Sequence, residues 1–126
     1  MVYSRSKFVA QIFVHGESLK SVVVAMIVPE EIRVREWAKG QDDVDETLPL
    51  ADLARLESLK KAIMDDILAL GKAASLASFE QVKDIHLDGE LWTAENELLT
   101  PSFKIKRPML VRKYRAVIDA MYEKLW

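Results

Sequence analysis

Apolar positions recur at a spacing of two through the first third of the chain. In KFVAQIFVHG (7–16) Phe, Val and Ile fall on both alternating sets, the pattern of a strand covered on both faces. LKSVVVAMIV (19–28) repeats the pattern, and HGES between them supplies turn residues. The two runs predict a β-hairpin, with Gly16 as the expected positive-φ residue. Pro29 then opens PEEIRVREWAKG. Proline at a first helical position, two early glutamates and a closing glycine predict a short helix over 29–40. QDDVDETLP (41–49) reads as a solvated connector, since it lacks the regular ligand spacing and the glycine of a calcium loop.

The spacing changes to that of a helix in LESLKKAIMDDILALGKAASL (56–76). Leu59, Ile63, Ile67 and Leu70 form one apolar stripe, while Lys60, Lys61, Asp65 and Asp66 take the wet face. Asp65 and Asp66 are neighbours, yet adjacent helical side chains diverge and make a poor acid–base or metal pair. FEQVKDIHL (79–87) returns to alternation and predicts an edge strand, with His86 on its polar side. TAEN (93–96) predicts a turn. A last helix starts at Pro108 with Leu110, Tyr114, Val117, Met121 and Leu125 as its core stripe. The order β-β-α-α-β, loop, α describes a small α+β domain: a mostly antiparallel sheet with an N-terminal hairpin, packed by about three helices.

The composition narrows the chemistry. The 126 residues, half of them hydrophobic, suit one domain with one core. Cysteine is absent, which excludes disulfides, thiolate metal sites and cysteine nucleophiles. No apolar run approaches the roughly 20 residues of a membrane helix. The net charge of −2 hides an asymmetry. No acidic residue lies between Leu98 and Ile118, where Lys104, Lys106, Arg107, Arg112, Lys113 and Arg115 cluster; the rest of the chain holds 12 basic residues (18 minus 6) against all 20 acids. Such a local field suits a small anion, whereas the acidic remainder repels a long phosphate backbone and argues against nucleic acid.

Phosphate loops of the G-x-x-x-x-G-K-[ST] type, G-x-G-x-x-G turns and G-x-S-x-G elbows do not occur. His15 and His86 lack clustered partners and read as structural or surface residues. What remains is Lys104. Pro101 stiffens its segment, and Phe103 and Ile105 flank it with apolar bulk that is expected to anchor the loop. Lys104 and Lys106 then project together from the opposite side. An ammonium on a flexible stem is suited to neutralising a phosphoryl group.

LLTPSFKIKRP resembles the lysine-bearing motif near the C-terminus of the long-chain acyl-CoA synthetases (fatty-acid–CoA ligases). SRSKFVAQIFVHGESLKSVVVAMIVP resembles the same family's entry into its C-terminal domain, and LKKAIMDDILALGKAASLASFEQVKDIHL its following helix and strand. The three blocks cover nearly the whole chain in the right order. The family belongs to the adenylate-forming superfamily. The resemblance implies a two-step reaction: a fatty acid and ATP give acyl-adenylate and pyrophosphate, then coenzyme A displaces AMP. It also implies a large N-terminal domain that binds ATP, magnesium and the acyl chain, and a small C-terminal domain that swings between two poses. Residues 1–126 are expected to be that single mobile domain. Lys104 matches the motif's catalytic lysine, with Lys106 and Arg107 as phosphate contacts or as residues that seat the loop. The wider superfamily often has Gly before the lysine, where this chain has Phe103.

The superfamily's Gly-rich and Thr/Ser-rich phosphate loop, its adenine- and ribose-holding residues and its hinge have no counterpart in these 126 residues. The resemblance therefore implies a fragment of an intracellular ligase, inactive alone, with no cofactor tightly bound and its own N-terminal domain as partner. Many relatives attach to membranes through segments outside this stretch. The competing reading is a non-catalytic interaction or regulatory module of the same fold, its lysine a relic. An RNA-binding loop is disfavoured, because few aromatic residues are interleaved with the basic ones.

Overall fold

A computed structural model describes residues 6–16, 23–74 and 82–125. Along the chain run β1 (Val9–Gly16), β2 (Val23–Pro29), α1 (Glu31–Lys39), α2 (Leu50–Leu53), α3 (Glu57–Ala73), β3 (Val82–Leu87) and α4 (Arg107–Leu125). The sheet order is β1-β2-β3. β1 and β2 form the antiparallel hairpin, with Phe13 opposite Met26. β3 joins the other side of β2 in parallel, with Ile85 beside Ala25. The sheet is therefore mixed. Its parallel pair needs a long crossover, which α1, α2 and α3 provide.

β2 is the strand covered on both faces. Ala25 and Ile27 enter a core with Val34 of α1, Leu53 of α2 and Leu59, Ile63 and Ile67 of α3. Val24, Met26 and Val28 point the other way, into a core with Leu110, Tyr114, Ile118 and Met121 of α4. The molecule thus has three layers, helices–sheet–helix, and its period-2 apolar runs serve two cores at once. β1 also feeds both cores, but at the sheet edge only Phe13 is fully buried. β3 is the opposite edge; its Val82, Ile85 and Leu87 are buried and His86 is half-buried, its ring 5.8 Å from that of Tyr114.

Several expectations shift in detail. Gly16 does not adopt positive φ; it sits within β1 opposite Val23, and the expected HGES turn runs into residues 17–22, outside the described residues. Phe79 and residues 75–76 also lie outside them. Leu70 is only half-buried, and Gly71 continues the buried line of α3. On α4, Ile118 is fully buried and Val117 only partly: the buried arc is centred on Tyr114 and runs through Leu110, Ile118, Met121 and Tyr122, which leaves Val117 at its margin. The side chain of Leu125 lies outside the described residues. α2 escapes sequence reading, since four residues are too few to show a period.

The acidic connector is tied down locally. The Asp45 carboxylate accepts the Thr47 amide at 2.9 Å, and Arg35 of α1 donates to the Glu46 and Leu48 carbonyls at 2.7 and 2.9 Å. Asp65 and Asp66 do diverge: Asp65 pairs with Lys61 at 2.8 Å, and Asp66 accepts the Ser6 hydroxyl.

The lysine hairpin as candidate functional site

The basic segment between β3 and α4 folds into a miniature hairpin. Leu99 and Ile105 form an antiparallel bridge. One step outward the Thr100 amide donates to the Lys104 carbonyl at 2.7 Å, and one step inward the Lys106 amide donates to the Leu98 carbonyl at 2.9 Å. Three residues, Pro101, Ser102 and Phe103, make the tip. The Phe103 amide donates to the Thr100 carbonyl at 2.9 Å, closing a turn with Pro101 at its second position, where a fixed φ costs nothing. Phe103 follows at φ 66°, the left-handed conformation that such three-residue tips require. A residue in that conformation is commonly glycine. The glycine geometry persists here although the side chain is a phenyl ring.

Lys104 is the first residue after the tip and is exposed. Its amide donates to Thr100 Oγ1 at 3.1 Å, and that oxygen also meets Ser102 Oγ at 3.1 Å. The backbone of the lysine is therefore held on both sides while its side chain extends outward. Among the described residues, Lys104 forms no ion pair.

The hairpin stands on a firm base. Leu98 and Leu99 are buried in the α4 core, and Ile105 packs against it. Beneath them Trp92 Nε1 donates to the Tyr114 hydroxyl at 2.8 Å, which donates to Asp88 at 2.6 Å. Burial, reinforced by the Asp88 carboxylate, pushes the Tyr114 phenol well above its usual range, so it stays a donor. Gln11 of β1 clamps the Trp92 backbone, accepting its amide at 2.8 Å and donating to its carbonyl at 2.9 Å. The expected TAEN turn is present: the Thr93 amide donates to Asn96 Oδ1 at 2.9 Å, and the Asn96 amide donates to Thr93 Oγ1 at 3.1 Å.

The other predicted cations divide. Arg107 opens α4 and turns back onto β1, donating to the Val14 carbonyl at 3.2 Å with its guanidinium 5.1 Å from the Phe13 ring centre. Lys106 is half-buried at the hairpin base. Lys113 lies 3.9 Å from Asp88, and Arg115 pairs with Asp119 at 3.0 Å. The positive stretch is thus partly compensated within the fold; Lys104 at the tip and Arg112 on α4 are exposed. Phe103 is not the anchor expected from an extended run. Its left-handed φ turns it out of the alternation, it is 79% exposed, and Ile105 anchors alone. Sequence reading also missed Thr100, whose position one residue before Pro101 and four before Lys104 is the available signal. Among the described residues, no group of three or more His, Asp or Glu is placed to hold a metal ion. No described helix is long and apolar enough to cross a membrane.

No protein-family model matches the chain. Human long-chain-fatty-acid–CoA ligase 6 is 43% identical over 121 residues, which are 96% of this chain and 17% of the ligase. Fatty acyl-CoA synthetase A of Dictyostelium discoideum is 40% identical over 122 residues. The chain is homologous to the C-terminal portion of the long-chain fatty-acid–CoA ligases. It spans under a fifth of the length of these curated relatives. Solved adenylation domains carry the same fold as this chain. The adenylation domain of a carboxylate reductase from Mycobacterium chelonae superposes with a TM-score of 0.77 at 30% identity, over 97% of this chain and 17% of that one. The A domain of a carboxylic acid reductase from Segniliparus rugosus, in complex with AMP and a co-purified carboxylic acid, gives 0.78 at 25% identity, over 99% of this chain and 17% of that one.

Proposed function

We propose that residues 1–126 are the mobile lid domain of an AMP-forming long-chain fatty-acid–CoA ligase and that Lys104 is its catalytic cation. The observation that carries this reading is the presentation of Lys104: an exposed ammonium, without an ion-pair partner among the described residues, on a hairpin tip whose backbone is fixed by Thr100. A charge held that way needs little reorganisation when negative charge develops opposite it.

In the adenylating step a fatty-acid carboxylate oxygen attacks the α-phosphorus of ATP, and the bond to pyrophosphate breaks. Charge gathers on the non-bridging oxygens of the five-coordinate centre, and the Lys104 ammonium offsets it. The N-terminal portion of the ligase supplies the ATP and acyl sites. Magnesium, when bound, would neutralise the nucleotide phosphates; its ligands belong to that portion in this reading. In the second step the coenzyme A thiol displaces AMP from the acyl-adenylate. Moving the hairpin away clears the path for the thiol, which is the advantage of carrying the lysine on a lid. Lys106 adds positive field on the same flank, and Arg107 seats the hairpin on β1.

The test uses the full-length ligase that carries this segment. Lys104→Ala is expected to slow acyl-adenylate formation by at least about 100-fold, the scale of removing one preorganised donor. Conversion of supplied acyl-adenylate to thioester should be little changed. The 126-residue chain alone should make no acyl-CoA from ATP, fatty acid and coenzyme A. Equal adenylation by wild type and Lys104→Ala would replace the catalytic reading with that of a non-catalytic interaction module.

A further inference from the structure

Among the described residues, three large apolar side chains are exposed: Ile32, Leu91 and Phe103. Ile32 lies on α1. Leu91 and Phe103 line one open groove of about 590 Å³, together with Trp92, Leu99 and Pro101. Phe103 is the most exposed of the three, at 79%, and it also carries the left-handed φ. The isolated domain thus bears two penalties at one residue: an uncovered phenyl ring, and a backbone conformation that a side chain disfavours. A glycine there would remove both. Neither penalty is explained by packing within the domain, since Ile105 anchors the hairpin.

We infer that Phe103, flanked by Leu91 and Pro101, is the positioning residue that docks the lid onto the N-terminal portion of the ligase and so seats Lys104 for adenylation. The inference rests on the ligase reading above. Phe103 and Lys104 are both exposed at the hairpin tip and their Cα atoms are about 3.8 Å apart, so a cleft wall that presents a phosphate to Lys104 lies within reach of the Phe103 ring. That wall belongs to the 83% of the relatives' length this chain does not span (100 minus 17). The occupant of the groove is therefore an apolar surface of the N-terminal portion, bordering its nucleotide site. A ring seated beside the ammonium also sheds water from the ion–phosphate contact, which strengthens it.

The experiment compares half-reactions in the full-length ligase, with palmitate, ATP and coenzyme A. Phe103→Gly keeps the turn, and its melting temperature should not fall. Its adenylation, read by pyrophosphate exchange, should nevertheless drop about 10- to 100-fold, as displacement of a reacting group does. Thioester formation from supplied palmitoyl-adenylate should stay within about twofold, because a contact made only in the adenylating pose affects only that step. Phe103→Leu should recover most of the loss, and Leu91→Ser should reproduce part of it. Wild-type adenylation by Phe103→Gly overturns the inference, as does equal loss in both half-reactions. So does a defect confined to the KM for fatty acid, which would make the acyl chain the occupant. Lys104→Ala in parallel separates the two readings: if it is impaired while Phe103→Gly is not, only the docking role fails, and if neither is impaired both fail.

Discussion

Thr100 grips both backbone polar groups of Lys104. Its amide donates to the Lys104 carbonyl at 2.7 Å, and its hydroxyl oxygen accepts the Lys104 amide at 3.1 Å. The first bond belongs to the hairpin and survives any side chain at 100. The second depends on the hydroxyl. Thr100→Val keeps the β-branched shape and removes only that oxygen. Because the site is exposed, water can satisfy the freed Lys104 amide, and the stability cost should be about 1 kcal/mol or less. Loosening the lysine should cost more in rate than in stability: about 10-fold in adenylation by the full-length ligase, with Thr100→Ser near wild type. Equal adenylation by Thr100→Val and wild type would remove Thr100 from the positioning role.

Tyr114 joins the hairpin base to the turn after β3. Its hydroxyl accepts from Trp92 Nε1 at 2.8 Å and donates to Asp88 at 2.6 Å. Tyr114→Phe preserves the ring in the α4 core but strands the buried indole donor. Leaving such a group without a partner costs roughly 1–3 kcal/mol. Urea titration should show that loss. If the midpoint is unchanged, the chain Trp92–Tyr114–Asp88 contributes no net stability.

How far these features could be read in advance depended on range. Leu59, Ile63 and Ile67 repeat within one helix, and the hairpin runs repeat within one strand, so local period revealed both. The parallel seating of β3 on β2 is set by the α1–α3 crossover and leaves no trace in VKDIHL itself. Lys104 stood out because charge and motif are local signals. The outward turn of Phe103 did not, because Phe is a poor marker of positive φ, and an extended run was the natural reading of its alternation with Lys104. Trp92, Tyr114 and Gln11 meet across 22 and 81 residues of sequence, and only folding brings them together.

Asp84 holds the β3 edge to both helical layers. Its carboxylate lies 3.0 Å from Lys60 of α3 and 3.0 Å from Lys124 of α4, and accepts the Ile85 amide at 2.9 Å. Burial alone would raise its pKa. The hydrogen bonds from Lys124 and Lys60, the Lys60 charge and the Ile85 amide outweigh burial and hold it below the usual aspartate range. A depressed folded-state pKa means that the unfolded chain binds the proton first. The contribution is therefore complete above the unfolded value and is lost as pH falls through the folded one. Asp84→Asn should cost roughly 2 kcal/mol at pH 7, the scale of hydrogen bonds to a charged group. It should also flatten the decline in urea midpoint between about pH 5 and 3, where the unfolded carboxyl takes up its proton. Parallel pH profiles for wild type and variant would show that other carboxylates control acid unfolding.

Gly89 packs tightly against the backbone of α2. A Cβ built there falls 2.7 Å from both Cα and N of Ala51, and 3.1 Å from the Leu50 carbonyl carbon. These are main-chain atoms of α2, so no side-chain rotation relieves the overlap. α2 must move, and Leu53, fully buried against Ile27 and Leu59 in one cluster, moves with it. Such overpacking costs about 1–3 kcal/mol. Gly40 provides the contrast: it ends α1 at φ −84°, and an added Cβ meets nothing closer than the Trp37 carbonyl oxygen at 3.5 Å. Gly40→Ala should be neutral within about 0.5 kcal/mol, or slightly stabilising through the unfolded state. Gly89→Ala should also loosen the neighbouring Asp88, so amide exchange should quicken at Trp92 and along 98–105 before it does in β1. Matching melting temperatures for the two alanine variants would mean that α2 docks more softly than its packing implies.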